Sequence, residues 1–65
     1  MSEEIIYSVE TIRHMMGLNQ KDMAKMLGMT ETTYISRVKK KTDWRSRELI
    51  KIRQASGIPI DKMDL

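Results

Sequence analysis

Three glycines divide this chain into short pieces, and most pieces carry apolar residues at the helical period. Gly17, Gly28 and Gly57 each follow such a piece, where a left-handed turn closes a helix. Asn19 and Thr30 come two residues after the first two glycines, and both residue types cap the first turn of a new helix. Such punctuation confines the chain to short helices joined by tight connections. In the first piece Ile5, Val9, Ile12 and Met16 share one helical face, with Ser2 or Ser8 as the cap. The second helix runs from Gln20 to Leu27, with Met23, Ala24 and Leu27 inward and Asp22 in the first turn, where the helix dipole favours a carboxylate. The third runs from Glu31 to Lys39, with Tyr34, Ile35 and Val38 inward. Ser46 caps a fourth that turns Leu49, Ile52 and Ala55 inward, and Pro59 opens a last turn from which Ile60 and Met63 pack back. The β-branched run from Thr30 to Ile35 suits a strand on propensity alone, but its cap and the helical pattern around it override that. The expected fold is all-α: four to five short helices, with no strand.

At 65 residues the chain forms one domain, 1–65, around a single small core. That length leaves no room for a separate dimerisation or effector domain. With no cysteine, neither a disulfide nor a thiolate metal site helps to hold it. No apolar run approaches the length of a membrane span or a signal-peptide core, so the expected location is the cytoplasm. The seven methionines, in a chain without phenylalanine, fall on inward positions and read as an adaptable core.

Charge is unevenly placed. Residues 1–30 hold three cations against four acids, whereas residues 37–53 hold eight cations against two acids. A basic block on a near-neutral framework suggests an anionic partner. The stretch GMTETTYISRVKKKTDWR, residues 28–45, divides the same way, with hydroxyl side chains first and cations after. Only Gly28, Met29 and Thr30 separate the second and third helices, a turn short enough to make them cross steeply as a helix-turn-helix over residues 20–39. In such a unit the second helix enters the DNA major groove. Threonine methyls meet thymine methyls, hydroxyls meet donors or acceptors, and Glu31 accepts from a cytosine amino group. The cations beyond lie against phosphates.

The stretch MGLNQKDMAKMLGMTETTY resembles the helix-turn-helix of the Cro and phage-repressor family. Arg13, Gly17, Leu18, Gln20, Met23, Ala24, Leu27, Gly28, Thr30, Thr33 and Tyr34 fall on matching positions. Trp44 with ELIKI, and the closing IPIDKM, extend the likeness over roughly residues 9 to 63. The resemblance implies a lambda-repressor-like domain and a sequence-specific regulator of transcription from a phage or mobile element. Its partner is a double-stranded DNA operator, bound by a weak homodimer that forms or tightens on DNA. Carried over residue by residue, it implies base reading by Glu31, Thr32, Thr33 and Ser36. Phosphate binding falls on Asn19 and Gln20 before the turn, and on Lys39, Lys40, Lys41, Arg45 and Arg47 after it. The closing IPIDKMDL exposes apolar side chains and is the expected dimer contact.

Two positions depart from the family pattern. The arginine matching Arg13 commonly pairs with a glutamate at the position of Val38, so Arg13 has no assigned partner here. The apolar residue expected three after Tyr34 is Arg37. Either Val38 takes over that packing or the register slips by one, which leaves Ser36 and Arg37 as alternatives for the groove. Arg37 is thus a further base-reading candidate, through bidentate contact to guanine.

Catalysis is not expected. The single histidine, His14, has no carboxylate or cysteine partner at useful spacing, and neither a phosphate-cradling glycine loop nor metal-ligand spacing occurs. No cofactor, metal or small-molecule ligand is expected. RNA binding lacks an aromatic platform, since Trp44 is the one candidate and is expected to pack against the fourth helix. The competing reading is a protein-interaction module on the same fold, such as an antirepressor or antitoxin, with no specific DNA binding.

Overall fold

A computed structural model describes residues 5–65. Four helices account for most of it: α1 (Val9–Met15), α2 (Gln20–Leu27), α3 (Glu31–Val38) and α4 (Ser46–Ser56), followed by a single 3-10 turn over Ile60–Lys62. Each of the four contributes one large, fully buried side chain to a common centre: Ile12, Met23, Tyr34 and Ile52. Helices of 7 to 11 residues are marginal alone, so this shared burial is what holds them helical. Each such side chain contributes about 1.5–3 kcal/mol.

α2 and α3 follow the expected bounds closely because their ends are chemically marked. Asn19 Oδ1 accepts from the Asp22 amide at 2.7 Å, and Thr30 Oγ1 accepts from the Thr33 amide at 3.2 Å. α3 stops one residue earlier than expected, with Lys39 as its C-cap.

Elsewhere the expectations need correction. The fold is not purely α: β1 (Tyr7–Ser8) pairs in parallel with β2 (Met63–Asp64), Tyr7 opposite Met63 and Ser8 opposite Asp64. α1 begins at Val9, not near Ile5, because Ser8 is extended and its Oγ accepts from the Thr11 amide at 3.1 Å. Ile5 is consequently exposed, and Ser2, the other cap candidate, lies outside the described residues. Ser46 is the first residue of α4 rather than its cap. Arg45 takes the cap position, its amide donating to Glu48 Oε1 at 2.8 Å. Ala55 and Met15 were expected inward and are exposed.

The missing partner of Arg13 lies one turn earlier on its own helix. Arg13 Nε donates to Glu10 Oε1 at 3.0 Å, Nη2 donates to Glu10 Oε2 at 2.8 Å, and Nη1 donates to the Leu18 carbonyl at 2.6 Å. The buried Tyr34 hydroxyl donates to Glu10 Oε1 at 2.6 Å, and Gln20 Nε2 reaches Glu10 Oε2 at 3.4 Å. One carboxylate therefore ties α1 to α2 and α3. The Arg13 hydrogen bonds are the main reason that the Glu10 carboxyl is held down to about 2, against the opposing effect of burial. Burial, then the bond to Glu10, raises the Tyr34 phenol well above its ordinary value.

α1, α2 and α3 end in the same paired turn, in which two amides beyond the helix return to its last carbonyls. After α1 and α2 the left-handed residue is Gly17 or Gly28, at φ 71° and 73°. After α3 it is Lys40, at φ 61°, the one non-glycine residue with positive φ among those described. A side chain in this region costs about 1 kcal/mol. Lys40→Gly is therefore expected to stabilise the domain by about 0.5–1 kcal/mol, an increase of several degrees in Tm for a chain of this size. The exposed Lys40–Asp64 ion pair at 3.5 Å offsets little of that. A thermal melt of the variant at or below the wild-type Tm would contradict this account.

Candidate nucleic-acid interface

The turn between α2 and α3 presents the first residues of α3 at the surface. Glu31 and Thr32 are exposed, with side chains free of any fold role seen here, whereas Thr33 is half-buried and its Oγ1 accepts from Thr30 Oγ1 at 2.9 Å. Ser36, a turn later, is half-buried. Beside this end of α3 runs an open groove of about 630 Å³ whose walls include Thr30, Thr33, Lys25, Arg45 and Arg47. Its floor reaches Gly28, where an added Cβ would lie 3.7 Å from Lys51 Nζ, so a further ammonium hangs over the turn.

Arg37 also lines this groove, but its donors are taken up within the fold. Its side chain is 10% exposed and faces the buried Glu48, with Nη2 donating to Oε2 at 3.2 Å and Nη1 donating to Thr42 Oγ1 at 3.0 Å. Nε lies 2.8 Å from Glu48 Oε1, close enough for charge attraction but outside hydrogen-bond alignment. Two of its donor nitrogens are thereby engaged within the fold rather than left for a base. Val38, half-buried, packs against the core in the way the apolar position requires.

Of the phosphate candidates, Asn19 is exposed and uses Oδ1 as the α2 cap, leaving its amide nitrogen outward. Gln20 is half-buried and turned toward Glu10, with a second N–H still available. Lys39 and Lys41 are exposed, as are Arg45 and Arg47. Lys40 lines a separate cleft of about 370 Å³ with Thr42, Trp44 and Leu65, and its ammonium leans toward Asp64. The structure thus joins Arg45 and Arg47 to the front of α3 in one groove, and leaves the three consecutive lysines outside it. Lys25, which lines the groove, and Lys51, beside it at Gly28, are cations that sequence reasoning missed. Lys51 follows Arg47 by one helical turn, a spacing that places both on one face.

Two surrounding features bear on the other expectations. Trp44 packs edge-on against Tyr34, ring centroids 6.0 Å apart at 71°, and this half-buried ring braces α3 from behind. The IPIDKMDL segment does not offer an apolar strip for a dimer: Ile58 and Met63 are buried, Ile60 is half-buried, and among its larger apolar side chains Leu65 is exposed.

His14 is exposed, with Nε2 3.0 Å from Arg13 Nη2. Among the described residues no cluster of three or more His, Cys, Asp or Glu side chains is arranged to hold a metal ion, and no helix is long and apolar enough to cross a membrane. Compared with protein-family models, curated proteins and solved structures, the chain matches none of them.

Proposed function

We propose that this chain is a sequence-specific DNA-binding regulator of transcription of the Cro and phage-repressor type, acting in the cytoplasm, with α2 and α3 as its helix-turn-helix. The observation that carries this reading is the junction of two unlike surfaces. The exposed first turn of α3, with Glu31 and Thr32, borders a groove walled by Lys25, Arg45 and Arg47. Short polar side chains at the front of a helix can approach base edges, and cations at its flank neutralise the adjacent phosphates.

In this reading Glu31, Thr32 and Thr33 are the base-reading residues, with Ser36 a turn behind. Arg37 is not among them, because its donors face Glu48 and Thr42. Asn19 and Gln20 hold a phosphate at the start of α2, and Lys39 and Lys41 extend the backbone contact beyond α3. Self-association is weak and assisted by DNA, since the C-terminal segment has turned most of its apolar side chains inward. A standard interface needs about 800 Å² per partner, more than Leu65 and its neighbours supply.

The test is a selection of bound sites from random duplex, followed by titration of the best site and a random duplex with wild type and Thr32→Ala. The variant is expected to lose about 1–3 kcal/mol on the best site while holding its affinity for random duplex. An unchanged ratio between the two DNAs would remove Thr32 from the base-reading set. Wild-type protein that binds no duplex at low salt, yet captures a protein partner regardless of salt, would favour the interaction module.

A further inference from the structure

We propose that Glu48 is the positioning residue of the DNA-facing arginines, a role that rests on the DNA-binding reading above. Glu48 is 4% exposed, and its carboxylate makes contacts at both ends of the loop between α3 and α4. At the α3 end it holds the Arg37 guanidinium, which in turn holds Thr42 in the middle of the loop. At the α4 end its Oε1 accepts from the Arg45 amide at 2.8 Å. The end of α3, the middle of the loop and the start of α4 are thereby tied to one buried group, Thr42 only through Arg37.

The consequence falls on two exposed groove cations, Arg45, which carries the anchored amide, and Arg47, in the first turn of the α4 that it starts. A long cationic side chain on an unanchored loop loses conformational entropy when it meets a phosphate. On an anchored backbone part of that loss has already been met on folding. Glu48 also lines the groove, and as an acid beside an anion site it would repel phosphate if its charge were free. Arg37 neutralises it. An anionic group remains inside an anion-binding groove because the geometry it enforces outweighs the repulsion that is left.

This opposition gives the test its sign. Removing a negative charge from a DNA-facing groove should by simple electrostatics tighten binding, whereas losing the anchor should weaken it. Glu48→Gln and the charge-conserving Arg37→Lys are each made in the wild type and in an Arg45→Ala/Arg47→Ala background. Affinity for duplex DNA is measured at a temperature where circular dichroism shows each protein folded. The expected result is a loss of about tenfold for Glu48→Gln in the wild type and of less than about twofold when the two arginines are absent, since residues acting through one another are not additive. Arg37→Lys should follow the same pattern more weakly, because an ammonium cannot reproduce the guanidinium fork. If Glu48→Gln does not fold, Arg37→Lys decides the matter alone. Unchanged or tighter binding by the folded variants, or equal losses in both backgrounds, would overturn the proposal. Wild type that binds no duplex would instead overturn the DNA-binding reading.

Discussion

Replacing Glu10 with alanine is expected to cost most of the stability of the domain. The carboxylate receives hydrogen bonds from Arg13, Tyr34 and Gln20, and neither of the first two can turn outward to find water. Arg13 is 9% exposed and Tyr34 is fully buried, so the variant leaves a cation short of its counter-charge and a hydroxyl without its acceptor. Removing one partner of a fully buried pair costs about 3–5 kcal/mol, and the partly exposed Glu10 carboxylate sets the loss toward the lower end. A single core of this size supplies about the same. The variant should show no cooperative melt at physiological temperature, and a Tm within a few degrees of wild type would sink the argument. Tyr34→Phe, which removes one bond and keeps the ring, should cost about 1–2 kcal/mol.

The same carboxyl predicts an acid limb. Its pKa lies at about 2 in the fold against an ordinary 4.5, so the folded state favours the ionised form. The stabilisation is therefore complete above about pH 4.5 and is lost progressively as pH falls toward about 2. Glu10→Gln, which cannot titrate, should lose stability at neutral pH and show a flatter dependence below pH 4.5.

Affinity for DNA should collapse with salt. If Lys25, Lys39, Lys41, Arg45, Arg47 and Lys51 each neutralise one phosphate, the log–log slope is about −5, a loss of roughly a thousandfold between 50 and 200 mM salt. Arg45→Ala or Arg47→Ala should flatten the slope by about one unit on specific and random duplex alike. Lys40→Ala should change it less, because that ammonium leans toward Asp64, away from the groove. Slopes unchanged in the arginine variants would make the basic block a solvated face with no part in binding.

The helices that form the candidate interface were legible in the sequence because their ends are written in local chemistry. Asn19 and Thr30 bond within their own first turns, and Gly28 supplies the left-handed close between α2 and α3. Features set by distant residues were less accessible. The two-residue strands have no period to detect, and they pair because the core brings the two ends of the described chain together. Arg37 read as a base reader because the acid that captures it lies eleven positions away, across a loop whose path local pattern does not reveal. The cap of α4 was misplaced for the same reason, since Glu48 selects Arg45 through a backbone amide that any residue could supply. The partner of Arg13 was different: Glu10 stands one turn before it, and helical spacing alone would have found the pair.

The pairing of Tyr7–Ser8 with Met63–Asp64 also bears on the order of folding. Nearly the whole described chain lies between the two strands, so bringing them together early would close a very large loop for a handful of hydrogen bonds. Loop closure of that size is favourable only after shorter-range contacts have gathered the chain. The α2–α3 unit, whose contacts are local, can assemble first, and the strand pair can join only when α4 and the final turn have returned to α1. The proposed reader and its fastening thus belong to different moments: the α2–α3 surface is built from the earliest contacts, and the ladder is a latch that closes last and opens first.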